Sequence, residues 1–163
     1  MAQLVRIASG TPWEPVAAYS RAVKAGEFVA VSGTTATDER GLVVGGGQMY
    51  VQARQALTNI RTALERMGLS MQDVVRTRMF VTDISRFAEA ARAHHEFFAQ
   101  APPASTMVEV KALVHPAMLI EIEADAYHGP MPPAPPAKSA GRAKPRAKSA
   151  GKKTSASKSR RRR

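Results

Sequence analysis

A chain of 163 residues, 44% of them hydrophobic, is long enough for one domain with a substantial core and too short for two ordinary ones. It has no cysteine, which excludes a disulfide framework, a thiolate zinc site and a cysteine nucleophile. The net charge of +11 is unevenly spread: residues 129–163 hold 12 of the 24 basic residues and no acidic one, leaving residues 1–128 with 12 basic against 13 acidic side chains, a net charge of −1. The electrostatic sign of a phosphate partner therefore belongs to the C-terminal segment and not to the part that can fold. The N-terminus lacks a basic stretch followed by an apolar one. No run approaches the roughly 18 apolar residues of a membrane helix. The default expectation is a soluble cytoplasmic protein.

Two weak strands are predicted first, near Leu4–Ala8 and Tyr19–Ala25, and a firmer one over Glu27–Ser32, closed by Gly33. Gly41 and Gly45-Gly46-Gly47 mark turns. A first helix is predicted over Gln48–Met67, because Met49, Ala53, Ala56, Leu57, Ile60, Ala63, Leu64 and Met67 recur at steps of three and four, and Gly68 is a natural stop. The next strand, Val74–Thr82, sets Thr77, Met79 and Val81 against Arg76, Arg78, Phe80 and Thr82. A second helix is predicted over Ser85–Ala99, with Phe87, Ala90, Ala91, His94, Phe97 and Phe98 on one face, Ser85 as N-cap and Pro102-Pro103 preventing continuation. Strands over Thr106–Ala112 and Leu119–Tyr127 follow, the latter alternating Ile120, Ile122, Ala124 and Ala126 against Glu121, Glu123, Asp125 and Tyr127. The order β-β-β-α-β-α-β-β describes an α+β domain over residues 1–128, with a mixed sheet and both helices on one face.

From Gly129 the composition changes to a Pro-rich spacer and then to Ala, Lys, Ser, Gly and Arg, with no Leu, Ile, Val or aromatic residue after position 131. Such a segment has nothing to bury against the entropy of ordering and is expected to be disordered. Its cations, among them Lys152, Lys153, Arg160, Arg161, Arg162 and Arg163, suit sequence-independent contact with nucleic acid; a solubilising tail is the alternative.

The sheet face away from the helices is expected to mix Phe80 and Met107 with Arg78, Glu109 and Glu121. That mixture suits either a subunit contact with a polar pocket at its margin or a solvated face bearing cross-strand ion pairs.

The stretches Tyr19-Ser20-Arg21-Ala22-Val23-Lys24-Ala25-Gly26, Val29-Ala30-Val31-Ser32-Gly33, Gln52 to Ile60, Asp73 to Asp83, Val108-Glu109-Val110 and Ile120 to Ala124 resemble, in uninterrupted order, the motifs of the Rid (YjgF) family. The resemblance implies a chorismate-mutase-like fold and a homotrimer packed around the second sheet face, with ligand pockets between subunits. It also implies hydrolysis of reactive enamines and imines to a keto acid and ammonia without a cofactor or metal, although some members have been described as ribonucleases or translation inhibitors. Deaminating members carry an arginine before the fifth strand, whose fork holds the substrate carboxylate. Ser105 stands at that place here, and Ala91 where an asparagine is frequent. This chain is similar in that respect to Rid subgroups that lack the arginine and are not expected to share the standard activity, which leaves a non-catalytic ligand-binding trimer open beside the enzyme.

Among the residues that match the family, Glu121 is the candidate for acid–base chemistry, set against an interface salt bridge. Tyr19, Gly33, Thr34, Ser105 and Thr106, with Thr35, are candidates for binding the ligand, Gly33 by letting it approach the backbone. Arg78 is the first choice for a substitute cation, set against a structural ion pair; Arg92 and His94 are the others. His94 lies on the apolar stripe, so a buried, hydrogen-bonded ring competes with a pocket role. His94 and His95 are adjacent and point about 100° apart on a helix, which speaks against a shared metal. Trp13 is either a pocket lid or a packing residue.

Overall fold

The computed structural model describes residues 4–8, 10–11 and 13–130; the basic segment and its candidate nucleic-acid residues lie outside the described residues. The period-three-and-four stripe of the first long helix folds as expected. Helix α2 spans Met49–Arg66, and every apolar residue of its stripe from Met49 to Leu64 is buried. It ends in a Schellman motif: Gly68, at φ +77°, donates its N–H to Glu65, and the Leu69 N–H reaches back to the Leu64 carbonyl. A short helix not read from the sequence, α1 (Trp13–Ala17), precedes it, with Glu14 buried and accepting the Gly10 N–H at 3.1 Å.

The strands are β1 (Leu4–Ile7), β2 (Ala22–Ala25), β3 (Phe28–Thr34), β4 (Val74–Val81), β5 (Ala104–Glu109) and β6 (Ile120–Tyr127). They form one six-stranded sheet in the order β1-β2-β3-β6-β4-β5. Only β4 and β5 pair in parallel, which suits the crossover helix between them, α3 (Phe87–Phe98). Period-two alternation places Val29, Val31, Thr77, Met79, Val81, Ile120, Ile122, Ala124 and Ala126 under the two long helices, all buried. The chain is an α+β protein with a mixed sheet and its long helices on one face.

Three sequence expectations need correction. First, the fifth strand runs from Ala104 to Glu109 and not Thr106–Ala112, because its parallel pairing with Arg76–Val81 begins at Ala104, directly after Pro103. That register puts Ser105 beside Thr77 and Met107 beside Met79. Met107 and Glu109 therefore belong to the helix side, and Val108 and Thr106 face the open side with Arg78 and Phe80. Glu109 accepts the Ile84 N–H at 2.9 Å.

Second, Ser85 is not the N-cap of a helix beginning there. Asp83 caps a 3₁₀ turn, Ile84–Arg86, through the Ser85 N–H at 3.0 Å, and α3 starts at Phe87. Third, the stripe of α3 is only partly buried. Of it only Ala90 and Phe98 are buried, together with Ala93, which the stripe did not include, whereas Phe87 is 55% exposed, because this helix covers the last strands of the sheet and part of its apolar face overhangs a cavity.

Gln52, inside the α2 stripe, is fully buried and satisfied. Its Nε2 donates to the Ala117 carbonyl at 2.8 Å, and its Oε1 accepts the Leu119 N–H at 2.8 Å. One amide thus fastens the helix to the loop that launches β6.

Candidate functional site

Strand β3 carries a bulge. Val31 pairs with Ala124 and Thr34 with Ile122, so Ser32 and Gly33 together oppose a single residue of β6. Val31 and Thr34 both face the core as a result, and the backbone of Gly33 lies against the Glu121 side chain. An added Cβ at position 33 would stand 2.8 Å from Glu121 Cδ and closer still to its Oε1, so glycine is required by contact and not by dihedral angle. Tucked against this backbone, the Glu121 carboxyl loses hydration. Its pKa is raised by burial first and by the neighbouring Glu123 second, with Arg21 opposing.

Arg21, which sequence reasoning did not single out, is the cation that faces Glu121. Its Nη1 donates to the Gly33 carbonyl at 2.8 Å and to Thr34 Oγ1 at 2.7 Å, and its guanidinium lies 5.8 Å from the centre of the Tyr19 ring. Thr34 donates in turn to the Ser32 carbonyl at 2.7 Å. The hydroxyl of Thr34 therefore both accepts and donates within the bulge, and it supports the site's backbone rather than offering a spare proton. The bulge, Tyr19, Arg21 and Glu121 form one polar cluster, and Arg21, Thr34 and Thr35 line a cavity of about 620 Å³ beside α2. The signal that could have found Arg21 is its position in the Tyr19–Gly26 stretch, one residue before a strand that abuts the bulge.

The remaining candidates divide between the two faces. Arg78 lies on the open face and is paired: Nη1 is 3.4 Å from Glu123 and 3.2 Å from Asp125. Thr106 is its cross-strand neighbour on β5. Arg92 lies on the outer surface of α3, 4.1 Å over the Tyr50 ring and 3.7 Å from Glu96. Trp13 is 43% exposed at the start of α1. Thr35 contributes its carbonyl to Asn59 at 3.1 Å.

On the helix side, α3 and β5 flank an open cavity of about 490 Å³. Met79, Phe87, Phe98 and Met107 wall it, and His94, His95 and Ser105 supply its polar groups. His94 Nε2 is 2.9 Å from Thr77 Oγ1, which lies 2.9 Å from Ser105 Oγ. Thr77 is completely buried, so its hydroxyl links the two and nothing else. The His94 ring also packs on Phe98, with centroids 4.5 Å apart, and burial lowers its pKa. His94, whose buried ring and pocket role were opposed as alternatives in the sequence, is half-buried, hydrogen-bonded to Thr77 and part of the cavity lining. Among the described residues no group of three or more His, Asp or Glu is placed to hold a metal ion, and no helix is long and apolar enough to cross a membrane.

A family model described as endoribonuclease L-PSP matches residues 10–128. The chain belongs to this family, the Rid (YjgF) family. It is 35% identical over 127 residues to a 3-aminoacrylate deaminase from Acinetobacter baylyi, covering 78% of this chain and 99% of that one. It is 37% identical over 114 residues to a RutC family protein from Pyrococcus horikoshii, covering 70% and 90% respectively. Among solved structures, a YjgF-family member from Mycobacterium tuberculosis is 43% identical and superposes with a TM-score of 0.71, over 77% of this chain and all of that one. In the Rid fold of this chain, Ser105 opens directly onto the cavity, and Ala91 lines its helical wall.

Proposed function

We propose that this Rid-family chain acts on small reactive enamines or imines, in pockets between neighbouring subunits of a homotrimer, by hydrolytic deamination to a carbonyl compound and ammonia. The observation that carries the reading is the Glu121 carboxyl, half-buried, pressed on Gly33 and raised in proton affinity. Such a group can give its proton to the enamine carbon, which produces an iminium. As a carboxylate it can then take a proton from the water that attacks that iminium. Water adds to carbon, the nitrogen leaves as ammonia, and the carbonyl remains. The relative from Acinetobacter baylyi is named for a reaction on an enamine, 3-aminoacrylate, which supports the same chemistry here.

Glu121 and Ser105 lie on opposite faces of the sheet, since Glu121 pairs with Phe80 on the open side while Ser105 pairs with the buried Thr77. One ligand can meet both only where two chains adjoin. The open face offers apolar surface for such a contact: Phe28 is 41% and Val108 43% exposed. The test is release of ammonia and carbonyl product from freshly generated imines. Acceleration over the buffer rate is expected. No acceleration across several imines would overturn the enzymatic reading, and saturable binding without turnover would make the protein a ligand-binding trimer.

A second activity follows from the charge distribution: 12 cations and no acid in residues 129–163, beside a domain of net charge −1, suit association with nucleic acid through the tail. Duplex DNA is expected to bind the full chain with affinity that falls by about a hundredfold or more between 50 and 200 mM salt. Truncation before Gly129 should abolish that binding in a gel-shift titration. Equal binding by the truncated chain would assign it to the domain.

A further inference from the structure

The cavity under α3 contains no permanent charge. Its polar groups are the two imidazoles and one hydroxyl, and the rest of its lining is Met, Phe, Ala and Pro. Burial keeps His94 neutral near pH 7. None of the candidate arginines lines the cavity. Arg78 is on the far face with Glu123 and Asp125, Arg92 stacks on Tyr50, and the Nη1 of Arg21 is committed to Gly33 and Thr34. A carboxylate binding here would therefore meet no counter-charge among the lining residues of this chain, whereas an uncharged polar group needs none.

The hydrogen-bond chain also has a direction. Thr77 has one proton, and when it donates that proton to Ser105, His94 must donate from Nε2 to Thr77. The proton of Ser105 is then left for an acceptor inside the cavity. From this we infer that the cavity selects an uncharged imine or carbonyl compound with an aromatic or branched apolar body, whose nitrogen or oxygen accepts the Ser105 proton. The exclusion of charge stands on the cavity alone; only the choice of an imine rests on the proposed deamination. A volume of about 490 Å³ suits one ring-bearing molecule held by few polar contacts.

Benzamide and benzoate, equal in size and different in charge, test the inference by titration calorimetry on the full chain. Benzamide is expected to bind and benzoate to bind about tenfold or more weakly, a difference of about 1.4 kcal/mol or more. Ser105→Arg should reverse that order by supplying the missing cation. Ser105→Ala, which adds no bulk, should weaken benzamide and leave benzoate as it was. Benzoate binding as tightly as benzamide, or neither binding, would overturn the inference. The two proposals fail separately. Turnover of carboxylate-bearing imines together with tight benzoate binding would sink this one and spare the deaminase, whereas selective benzamide binding without any turnover would do the opposite.

Discussion

Glu121→Gln is expected to lower the rate of ammonia release by about a hundredfold or more, the usual worth of a positioned acid–base group. Glutamine has the shape of glutamate, so it can occupy the same place beside Gly33, while losing the ability to give or take a proton. A fall in kcat with an unchanged KM is the expected pattern, because the amide still fills its position. Gly33→Ala should produce a similar loss by a different route, since the added methyl occupies space held by the carboxyl. Glu121→Gln has a second readout in stability against pH. Burial raises the folded-state pKa of Glu121 above the ordinary glutamate value of 4.5, so across the window from about that pH upward the native state holds more protons than the unfolded state. The contribution of this group to stability is present below that window and is lost as pH rises through it. The glutamine variant should lack that decline in denaturant titrations. A variant with full activity would remove Glu121 from the chemistry.

Gln52→Leu is expected to destabilise the domain by about 2–4 kcal/mol, although leucine is apolar, similar in size and surrounded by apolar residues. The cost arises from the partners left behind. The Leu119 N–H and the Ala117 carbonyl both lose their hydrogen bonds to the amide, and the donor stands at the entry to a strand that is buried on one side. By contrast, Arg61→Ala removes an exposed 3.9 Å pair with Glu65 and a guanidinium 5.8 Å from the centre of the Phe97 ring, and should change stability by less than about 1 kcal/mol. Chemical denaturation of the three proteins measures both differences. Equal midpoints for Gln52→Leu and the parent would show that the amide is not a tie between helix and loop.

The sequence made the fold class and family legible because the strongest patterns were local. The stripe of α2, its stop at Gly68 and the alternation of β6 all depend on neighbours within a few residues. What escaped it depended on pairing between distant segments. The bounds of β5 are set by its parallel register with β4, and it is that register, pairing Met107 with Met79 and Glu109 with Val81, that puts Met107 and Glu109 on the helix side. The overhang of Phe87 follows from where α3 sits over the sheet, which its own periodicity does not encode.

The site was legible in the same proportion. The contact of Gly33 with Glu121 joins two positions that the family motifs had already singled out. Arg21 was missed because it appears in the sequence as one more cation at a strand entry, and only the bulge brings it to Gly33 and Thr34. Thr77 was assigned to the core face correctly, yet its role as the link between His94 and Ser105 needs three separate elements in contact. Arg78, the first choice for a substitute cation, proves to have two carboxylates within 3.4 Å.

Glu121 of one subunit and the Ser105 cavity of its neighbour are proposed to serve one ligand. The direct measurement is ammonia release by mixed oligomers of two inactive proteins: Glu121→Gln, which keeps the cavity, and Ser105→Trp, which fills the cavity and keeps the carboxyl. After dissociation and reassembly of an equal mixture, about a quarter of the sites at random combine an intact Glu121 with an intact neighbouring cavity. Activity is expected to recover toward that fraction of the parent rate. A mixture that reassembles fully and stays as inactive as either variant alone would contradict it.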